Sequence, residues 1–295
     1  MLDISVIILT YNEEKHIERC IRNAKKLSSY IFLVDSFSTD KTKEIAVSLG
    51  AQVYENTWLN NHSIQFNWGL TNLPINTRSI LRLDADEYLS DELINEIHSK
   101  LPMLHSSVSG IILNRMQYCF GTMVHPIQLL RIFEFGKGVC ENRWMDEHIV
   151  LSSGSTVNFE NYFYDHNLNT FGWWIDKHNN YSIREAIELL DVELNLTSEI
   201  KTIDGIGNEA SEKRKKKLKY AQSPLFWRSF AYFIYRFIFK FGFLKGKGQF
   251  IWDFFQGWWY RTLVDVKIYE IKNACGNDPE RIREFIFKNY GIKII

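Results

Sequence analysis

The sequence predicts an α/β protein with a Rossmann-like, mostly parallel sheet flanked by helices, followed by a C-terminal amphipathic helical region. Residues 1–55 alternate short apolar runs with amphipathic segments in the order β-α-β-α-β. Beyond residue 213 the pattern changes to basic and aromatic residues at helical spacing. With 295 residues and 45% hydrophobic residues, the chain is long enough to bury a large core.

The first strand and helix follow from local patterns. Ile4–Thr10 is a continuous β-branched and aliphatic run, which is typical of a strand buried on both faces. Apolar residues then recur at helical spacing over 17–27, and Asn12 is predicted to be the N-cap of this helix. A second strand is predicted over 30–34 and ends at Asp35.

The next elements continue the alternation. A short helix is predicted over 39–49 with Gly50 as its stop, and a third short strand over 51–54. The stretch 79–82 is predicted to be a further strand. Ser90 is predicted to cap the helix that follows, because acidic residues and then an apolar face come directly after it.

Polar clusters stand where three of these strands end, namely Thr10-Tyr11-Asn12, Asp35 and Asp84-Ala85-Asp86. Ligands of parallel sheets bind beyond the carboxyl ends of the strands, so these clusters are predicted to meet at one edge. Two carboxylates at a spacing of two can hold a divalent cation, which in turn can hold a diphosphate. An isolated Asp-x-Asp is usually a solvated loop, but three clusters on one edge favour a binding site.

Composition limits the other classes of protein. The four cysteines (Cys20, Cys119, Cys140 and Cys275) are scattered, which predicts reduced thiols in a cytoplasmic protein rather than a disulfide frame or a zinc site. The chain enters its first strand directly, so no signal peptide is expected. No apolar run reaches the length of a membrane span.

Three segments resemble motifs of the inverting glycosyltransferases of family 2, which have the GT-A fold. These segments are 5–14, 34–42 and 83–87, in the usual order and separation. The middle and end of the chain resemble a bacterial subgroup that builds lipopolysaccharide core, capsule and other surface glycans, including enzymes similar to β-1,4-glucosyltransferases. The resemblance implies inverting transfer of a hexose or N-acetylhexosamine from a UDP-sugar, assisted by Mn²⁺ or Mg²⁺.

The resemblance also implies which residues bind the donor. Asp35 is expected to accept hydrogen bonds from uracil or ribose, and the backbone of 10–12 to line the base pocket. The further expected nucleotide-sugar contacts are Glu13, Asn67, Asp84, Ala85 and Arg131. The alternative role of Glu13 is that of a carboxylate at a helix terminus, and the alternative for Asn67 is a surface position. Arg131 could orient an acidic residue or a phosphate, and its alternative is a plain salt bridge.

Metal ligands are expected close to the same motif. Asp86 is the expected principal ligand, and Asp84 is expected to lie closer to the ribose and the sugar. His166 is a further candidate, since some GT-A enzymes recruit a late histidine as a metal ligand. Its alternative is an ordinary polar or core histidine.

An inverting transfer needs a carboxylate that deprotonates the acceptor hydroxyl. The candidates are Asp146 and Glu147 in the segment 144–148. Glu147 is favoured because the subgroup's usual glutamate aligns there, and Asp146 remains the alternative.

The C-terminal region is basic and aromatic. Residues 213–219 carry six basic side chains, and 17 of the 36 residues over 225–260 are Phe, Trp or Tyr. Phe226, Phe230, Phe233, Phe237 and Phe241 share one helical face, and Arg228, Arg236 and Lys240 share another. A turn is predicted at 242–248, before a second helix over 249–273.

This pattern predicts helices that lie in the interface of an anionic membrane. We therefore predict a GT-A catalytic domain at 1–205 and a membrane-associating region at 206–295. The enzyme would be peripheral on the inner face of the cell membrane and would meet an acceptor on a lipid carrier. The alternatives are a helical cap or a homo-oligomer interface; nucleic-acid binding is not expected, because no RNA-binding motif accompanies the basic run.

Two other functions fit parts of the pattern. A sugar nucleotidyltransferase shares the sheet type and the carboxylate-held metal, but it normally has a glycine-rich loop after the first strand, and 10–14 contains no glycine. A non-catalytic, membrane-bound scaffold with a transferase fold is the second alternative. The intact acidic motifs count against it.

Overall fold

The computed structural model describes residues 2–119, 121–124, 126–145, 147–197 and 219–294. Its strands are β1 (Ile4–Thr10), β2 (Tyr30–Asp35), β3 (Gln52–Glu55), β4 (Ser79–Asp84), β5 (Glu87–Leu89), β6 (Val108–Cys119), β7 (Thr122–Met123), β8 (Ile127–Glu134), β9 (Gly138–Cys140), β10 (Ile149–Leu151) and β11 (Ser155–His166). Its helices are α1 (Ile17–Ala24), α2 (Thr42–Ser48), α3 (His62–Asn72), α4 (Asp91–Lys100), α5 (Phe171–Leu194), α6 (Trp227–Ile234), α7 (Lys247–Phe254), α8 (Tyr260–Cys275) and α9 (Pro279–Tyr290).

The main sheet has the strand order β3-β2-β1-β4-β8-β6-β11-β5, with β7 paired to β6. Strands β1 to β4 are parallel neighbours, whereas β8 runs antiparallel to both β4 and β6. Helices pack against this sheet, because a connection between two parallel strands returns over a face of the sheet. The predicted α/β class is confirmed, and the architecture is consistent with the GT-A fold.

The register of the parallel strands brings the predicted clusters together. Thr10 is paired with Asp35 across β1 and β2, and Leu9 is paired with Asp84 across β1 and β4. The carboxyl ends of β1, β2 and β4, with the loops that follow them at 10–16, 35–42 and 84–87, therefore form one edge, which we call the rim.

The core of the sheet is formed by strands that are buried on both faces. Ile4, Val6, Ile7 and Ile8 of β1 are all fully buried, as the continuous apolar run predicts. Full burial of one such side chain contributes roughly 1.5–3 kcal/mol. Helix α1 covers one face of the sheet with Ile17 and its neighbours. Because β1 and β4 are packed in this core, the loops that follow them start from fixed positions.

The local capping predictions have different outcomes. Ser90 caps α4, because its Oγ accepts a hydrogen bond from the Leu93 backbone N–H at 3.1 Å. Asn12 is not the N-cap of α1, which begins at Ile17. Its backbone is left-handed (φ 55°), and its side-chain oxygen accepts a hydrogen bond from the Thr39 N–H at 2.8 Å. A contact between two loops has replaced the expected cap.

The C-terminal helices have a separate core. Ile187 and Leu190 of α5 pack with Ile268 and Ile271 of α8 and Ile286 of α9. In its packing, α5 thus belongs with the C-terminal helices. The predicted domain boundary at 205/206 lies outside the described residues, as does the basic run at 213–219 except for Lys219.

Helices α6 and α7 form a helical hairpin with aromatic side chains. A π-helical turn at Tyr235–Phe239 continues α6, and a second one at Phe255–Trp259 joins α7 to α8. A 3₁₀ turn at Gly242–Leu244 connects the two arms. Nowhere in the described part of the chain is a helix both long enough and apolar enough to span a membrane.

Two of the three basic residues predicted to share a face at the membrane interface, Arg228 and Arg236, are turned into the protein instead. Arg228 is buried and its Nε donates a hydrogen bond to Asp265 Oδ1 at 2.8 Å. Arg236 Nε donates to Asp253 Oδ1 at the same distance. Arg236 therefore joins the two arms of the hairpin, and Arg228 joins the hairpin to α8. Of the three basic residues predicted to share a face, only Lys240 is exposed.

Candidate active site

The loops after β1 and β2 are joined through Asp35. Its carboxylate is fully buried and accepts hydrogen bonds from Thr10 Oγ1 (2.7 Å), Ser38 Oγ (2.6 Å) and the Ser38 N–H (2.7 Å). The Asn12 N–H in turn donates to Ser38 Oγ at 2.9 Å, while Tyr11 is exposed beside it. Asp35 thus organises the loops of the rim, and its direct contact with a nucleotide stays a prediction.

Glu13 has partners within the protein. Its Oε2 lies 2.6 Å from His16 Nδ1, and its backbone N–H donates to Thr42 Oγ1 at 2.7 Å. His16 Nε2 accepts a hydrogen bond from the Leu168 N–H, so Nδ1 carries the proton that is donated to Glu13. These contacts support the helix-terminus role of Glu13 and tie the rim to the end of β11.

Asp84 stands at the end of β4 between two arginines. Its carboxylate oxygens lie 3.5 Å from Arg131 Nη2 and 3.9 Å from Arg82 Nη2, and the side chain is partly exposed. Burial alone would raise its pKa, but Arg131 and Arg82 hold the pKa of Asp84 well below its usual range. Asp84 is therefore a carboxylate that faces the rim in its ionised form.

Glu87, the last residue of the motif, is turned inward. It is almost completely buried, and its carboxylate binds Arg131 Nη2 at 2.7 Å and accepts the Asp84 N–H at 2.9 Å. Burial raises the pKa of Glu87, against the opposing charge of Arg131. Arg131 is also buried, so among its predicted roles the contacts favour orientation of the acidic motif.

Asp86 and His166 are neighbours. The His166 N–H donates to the Asp86 carbonyl at 3.1 Å, and Arg19 Nη2 donates to the carbonyls of both residues. Burial and the positive charge of Arg19 lower the pKa of His166, which favours the neutral imidazole that can bind a metal. One Asp86 oxygen accepts a hydrogen bond from Asn167 Nδ2 at 2.9 Å.

These residues fit a cation that is bound together with a diphosphate. Within the described ranges no group of three or more His, Cys, Asp or Glu side chains is arranged as a metal site. Mg²⁺ is commonly held by one or two carboxylates plus substrate phosphates rather than by a complete protein cage. Asp84 and Asp86, two carboxylates at the rim, match that pattern.

Glu147 lies beside the acidic motif through Arg82. Arg82 Nη2 is 3.0 Å from Glu147 Oε1 and 3.9 Å from Asp84 Oδ1. The arginine is buried and its guanidinium stacks over Phe66 at 5.1 Å. One fixed guanidinium therefore contacts both the predicted base and the metal motif. The other predicted base, Asp146, lies outside the described residues.

Sequence reasoning did not identify Arg82 as a site residue. The available indication was its spacing of two from Asp84 on β4, since residues i and i+2 of a strand point to the same face. The Glu147 contact was not accessible from the sequence, because 65 positions separate the two residues.

Helix α5 adds two cations that were also missed. Lys177 Nζ lies over the rings of Trp173 (4.8 Å) and Tyr181 (5.6 Å), and Arg184 lies over Tyr181 at 5.7 Å. Burial would lower the pKa of Lys177, but Tyr181 and Asp86 outweigh it and raise this pKa. The side of α5 that carries Lys177 is therefore positively charged and within electrostatic range of the rim.

Asn67 is engaged elsewhere. Its Nδ2 donates to the Cys140 carbonyl at 2.7 Å, and its Oδ1 accepts the Cys140 N–H at 2.9 Å. These two bonds anchor α3 to β9. A contact between Asn67 and the donor stays a prediction.

The N-terminal part of the chain is similar to known proteins. Residues 5–138 match the model of the family Glycosyl transferase family 2. An uncharacterized glycosyltransferase of Rickettsia bellii is 45% identical over 94 residues, or 32% of this chain and 31% of the relative. An uncharacterized glycosyltransferase of Rickettsia typhi is 40% identical over 97 residues, or 33% of this chain and 32% of the relative. The chain thus aligns with about a third of the length of these relatives.

Solved structures give weaker likenesses. Staphylococcus aureus TarS aligns over 98% of this chain and 54% of its own, with 14% identity and a TM-score of 0.45. Mycobacterium tuberculosis glucosyl-3-phosphoglycerate synthase, solved with Mn²⁺ and UDP, aligns over 39% of this chain and 44% of its own, with 19% identity and a TM-score of 0.32. The match of residues 5–138 to the glycosyltransferase family 2 model agrees with the predicted glycosyltransferase class.

Proposed function

We propose that this chain is a metal-dependent inverting glycosyltransferase that moves a hexose or N-acetylhexosamine from a UDP-sugar to a bacterial surface glycan. The observation that carries the proposal is the contact of Arg82 with both Glu147 and Asp84. It puts a carboxylate suited to act as a base next to a carboxylate motif suited to a cation and a diphosphate. The family 2 domain at 5–138 supports the same class of reaction.

In this proposal Glu147 accepts the proton of the acceptor hydroxyl as the hydroxyl oxygen attacks the anomeric carbon. The bond from that carbon to the diphosphate oxygen breaks on the opposite face, so the configuration inverts and UDP leaves with the bonding electrons. Arg82 holds the Glu147 carboxylate in place, because it is buried and stacked on Phe66. A fixed base of this kind typically contributes a factor of about 10² to 10⁴ in rate.

Asp86 would hold the Mn²⁺ or Mg²⁺ ion, with Asp84 and His166 beside it. Such a cation supplies positive charge to the departing diphosphate. Arg131 and Arg82 keep Asp84 ionised at the same place. Lys177 contributes further positive charge from α5.

The test is release of UDP from a panel of UDP-sugars, with and without chelator, by the wild type and by Asp86→Asn. We expect the variant and the chelated enzyme to lose UDP release while the fold is retained. Asp91→Asn is the matched control, since Asp91 forms an exposed surface pair with Lys26. Full activity of Asp86→Asn, in the presence or absence of chelator, would remove the metal role. Formation of UTP and a sugar 1-phosphate from a UDP-sugar and added pyrophosphate, instead of UDP release, would indicate a nucleotidyltransferase.

We further propose that the acceptor is a lipopolysaccharide core or capsule glycan on a lipid carrier, and that the enzyme works at the inner face of the cell membrane. The support is the exposed aromatic and basic hairpin of α6 and α7. Lipid-linked and water-soluble forms of one glycan, compared as acceptors, test this. Equal rates for both forms would contradict a lipid-carried acceptor.

A further inference from the structure

The hairpin formed by residues 227–254, which we call the aromatic hairpin, carries an exposed apolar surface at its tip. The most exposed large side chains at the tip are Phe239, Phe241, Phe243 and Leu244. Phe239 and Leu244 are 68% and 71% exposed, respectively. Contiguous exposed apolar surface of this kind marks an interaction site in a folded protein.

These side chains are not required to complete the interior of the hairpin. The interior is filled by other rings: Phe233 is buried, stacks on Phe237 at 5.4 Å and contacts Phe254 at 6.3 Å. Trp258 closes the same cluster, 5.3 Å from Phe233. The tip residues therefore project beyond a core that is already packed.

The charge around the tip has one sign. Lys240, Lys245 and Lys247 are exposed there, and the sequence contains no Asp or Glu between residues 213 and 252. The nearest acids on the paired helices, Asp253 and Asp265, are buried against Arg236 and Arg228. The outward charge is consequently positive, while the internal acids are neutralised by the arginines.

The tip also has a defined conformation. Phe241 is left-handed (φ 54°), and Gly242 is buried directly after it. A Cβ atom at Gly242 would lie 2.4 Å from Asp253 Oδ2 and 3.0 Å from the Arg236 carbonyl. Only glycine fits this turn, so the packed turn presents Phe241, Phe243 and Leu244 without a further folding step.

We propose that the tip of the aromatic hairpin inserts into the interface of an anionic lipid bilayer, with Lys240, Lys245 and Lys247 at the headgroup phosphates. Aromatic rings with apolar bodies favour the boundary between water and acyl chains, and surface lysines add attraction to anionic lipid. The inference gives the membrane association in the proposed function a specific element and orientation. Vesicle binding does not depend on catalysis.

The test is flotation of the full chain with vesicles of phosphatidylcholine alone or of phosphatidylcholine with phosphatidylglycerol. We expect wild type to float with the anionic vesicles. Phe239→Ser with Leu244→Ser should weaken the partition by about tenfold or more, because two apolar side chains are removed from the acyl region. Replacement of Lys240, Lys245 and Lys247 by Gln should reduce the preference for anionic vesicles by about fivefold for each lysine.

Met103→Ser is the matched control, because Met103 is 86% exposed but belongs to the sheet domain. It should float like wild type, and all variants should keep wild-type circular dichroism and UDP release from a UDP-sugar in the absence of vesicles. Wild type that stays with neither vesicle, or tip variants that float unchanged, would overturn the proposal. Light scattering that shows a dimer lost in the Phe239→Ser, Leu244→Ser variant, without flotation of wild type, would assign the tip to a second copy of the chain instead.

Discussion

At the rim, Arg82 and Arg131 flank Asp84, a carboxylate that remains partly open to solvent, whereas Arg228 and Arg236 of the aromatic hairpin bind the buried carboxylates of Asp265 and Asp253. Asp84 is exposed over 39% of its side chain, but Asp265 is not exposed at all. The same pair of residue types therefore serves two purposes. At the rim it keeps an ionised carboxylate at the surface, and in the C-terminal region it joins helices and leaves apolar side chains outside.

The largest expected effect concerns Glu147, on the rim side of this comparison. Glu147→Gln should lower the transfer rate by about 10²-fold or more, because a positioned base is lost. UDP binding, measured by calorimetry, should be retained. Glu44→Gln, an exposed helix position, is the control and should leave the transfer rate unchanged. Wild-type transfer by Glu147→Gln would assign the base to Asp146 or to another residue.

The two arginines provide a direct test of the comparison. Arg228→Gln should lower the free energy of unfolding by about 3–5 kcal/mol, because it leaves the buried carboxylate of Asp265 without its partner. UDP release, measured below the melting transition, should be little affected. Arg82→Lys should instead lower transfer more than it lowers stability, because a lysine keeps the charge but not the paired geometry of the guanidinium.

Arg22→Gln is the control for both variants, since Arg22 forms an exposed pair with Glu18 and should change stability by less than about 1 kcal/mol. Thermal unfolding and transfer rates are measured on the same preparations. If Arg228→Gln lost as much transfer activity as Arg82→Lys, the proposal that Arg82 serves the site and Arg228 serves stability would be contradicted.

A smaller effect, dependent on pH, is expected at Glu96, which fixes α4 to the edge of β11. Its carboxylate accepts the Glu160 N–H at 3.0 Å and the Asn161 N–H at 3.0 Å. Burial alone would raise the pKa of Glu96, but Lys100 and these N–H groups hold it below its ordinary value. Glu96→Gln should therefore cost about 1.5–3 kcal/mol at neutral pH.

The sign of the pH dependence follows from the lowered pKa. The contribution of Glu96 is complete above its unfolded pKa of about 4.3 and is lost as the pH falls towards the folded value. The difference between the unfolding free energies of wild type and Glu96→Gln, measured by chemical denaturation, should therefore become smaller at acidic pH. Glu160→Gln, with its exposed side chain, should follow wild type at every pH. A difference that is constant with pH would contradict the ionic role of Glu96.

Much of the sheet could be predicted because the sequence signals for its strands lie within short stretches of the chain. The apolar run of β1, the Ser90 cap and the polar ends of β1, β2 and β4 all follow from neighbouring residues. The cap at Asn12 failed because Thr39, 27 positions away, competes for its side chain. Site residues such as Arg82 were missed for the same reason, since their partners come from distant parts of the chain.

In the C-terminal region, the helical period was correct but the assignment of its faces was not. A repeat of four residues places Arg228 and Arg236 on the same side of a helix. The repeat does not indicate whether that side meets water or a buried acid. The acids that bind them, Asp253 and Asp265, lie on later helices. The π-helical turn at Tyr235–Phe239 also shifts the phase of the faces beyond it, which a constant period of 3.6 residues does not include.

The hydrogen bonds that Asp35 accepts from Thr10 and Ser38 have a consequence for the entropy of donor binding. Fixing the backbone of one residue takes roughly 1–2 kcal/mol of conformational entropy at room temperature. In the loops after β1 and β2 this entropy is lost when the protein folds, since their contacts are internal to the chain. A nucleotide that binds there meets loops that are already ordered, so more of its interaction energy appears as affinity.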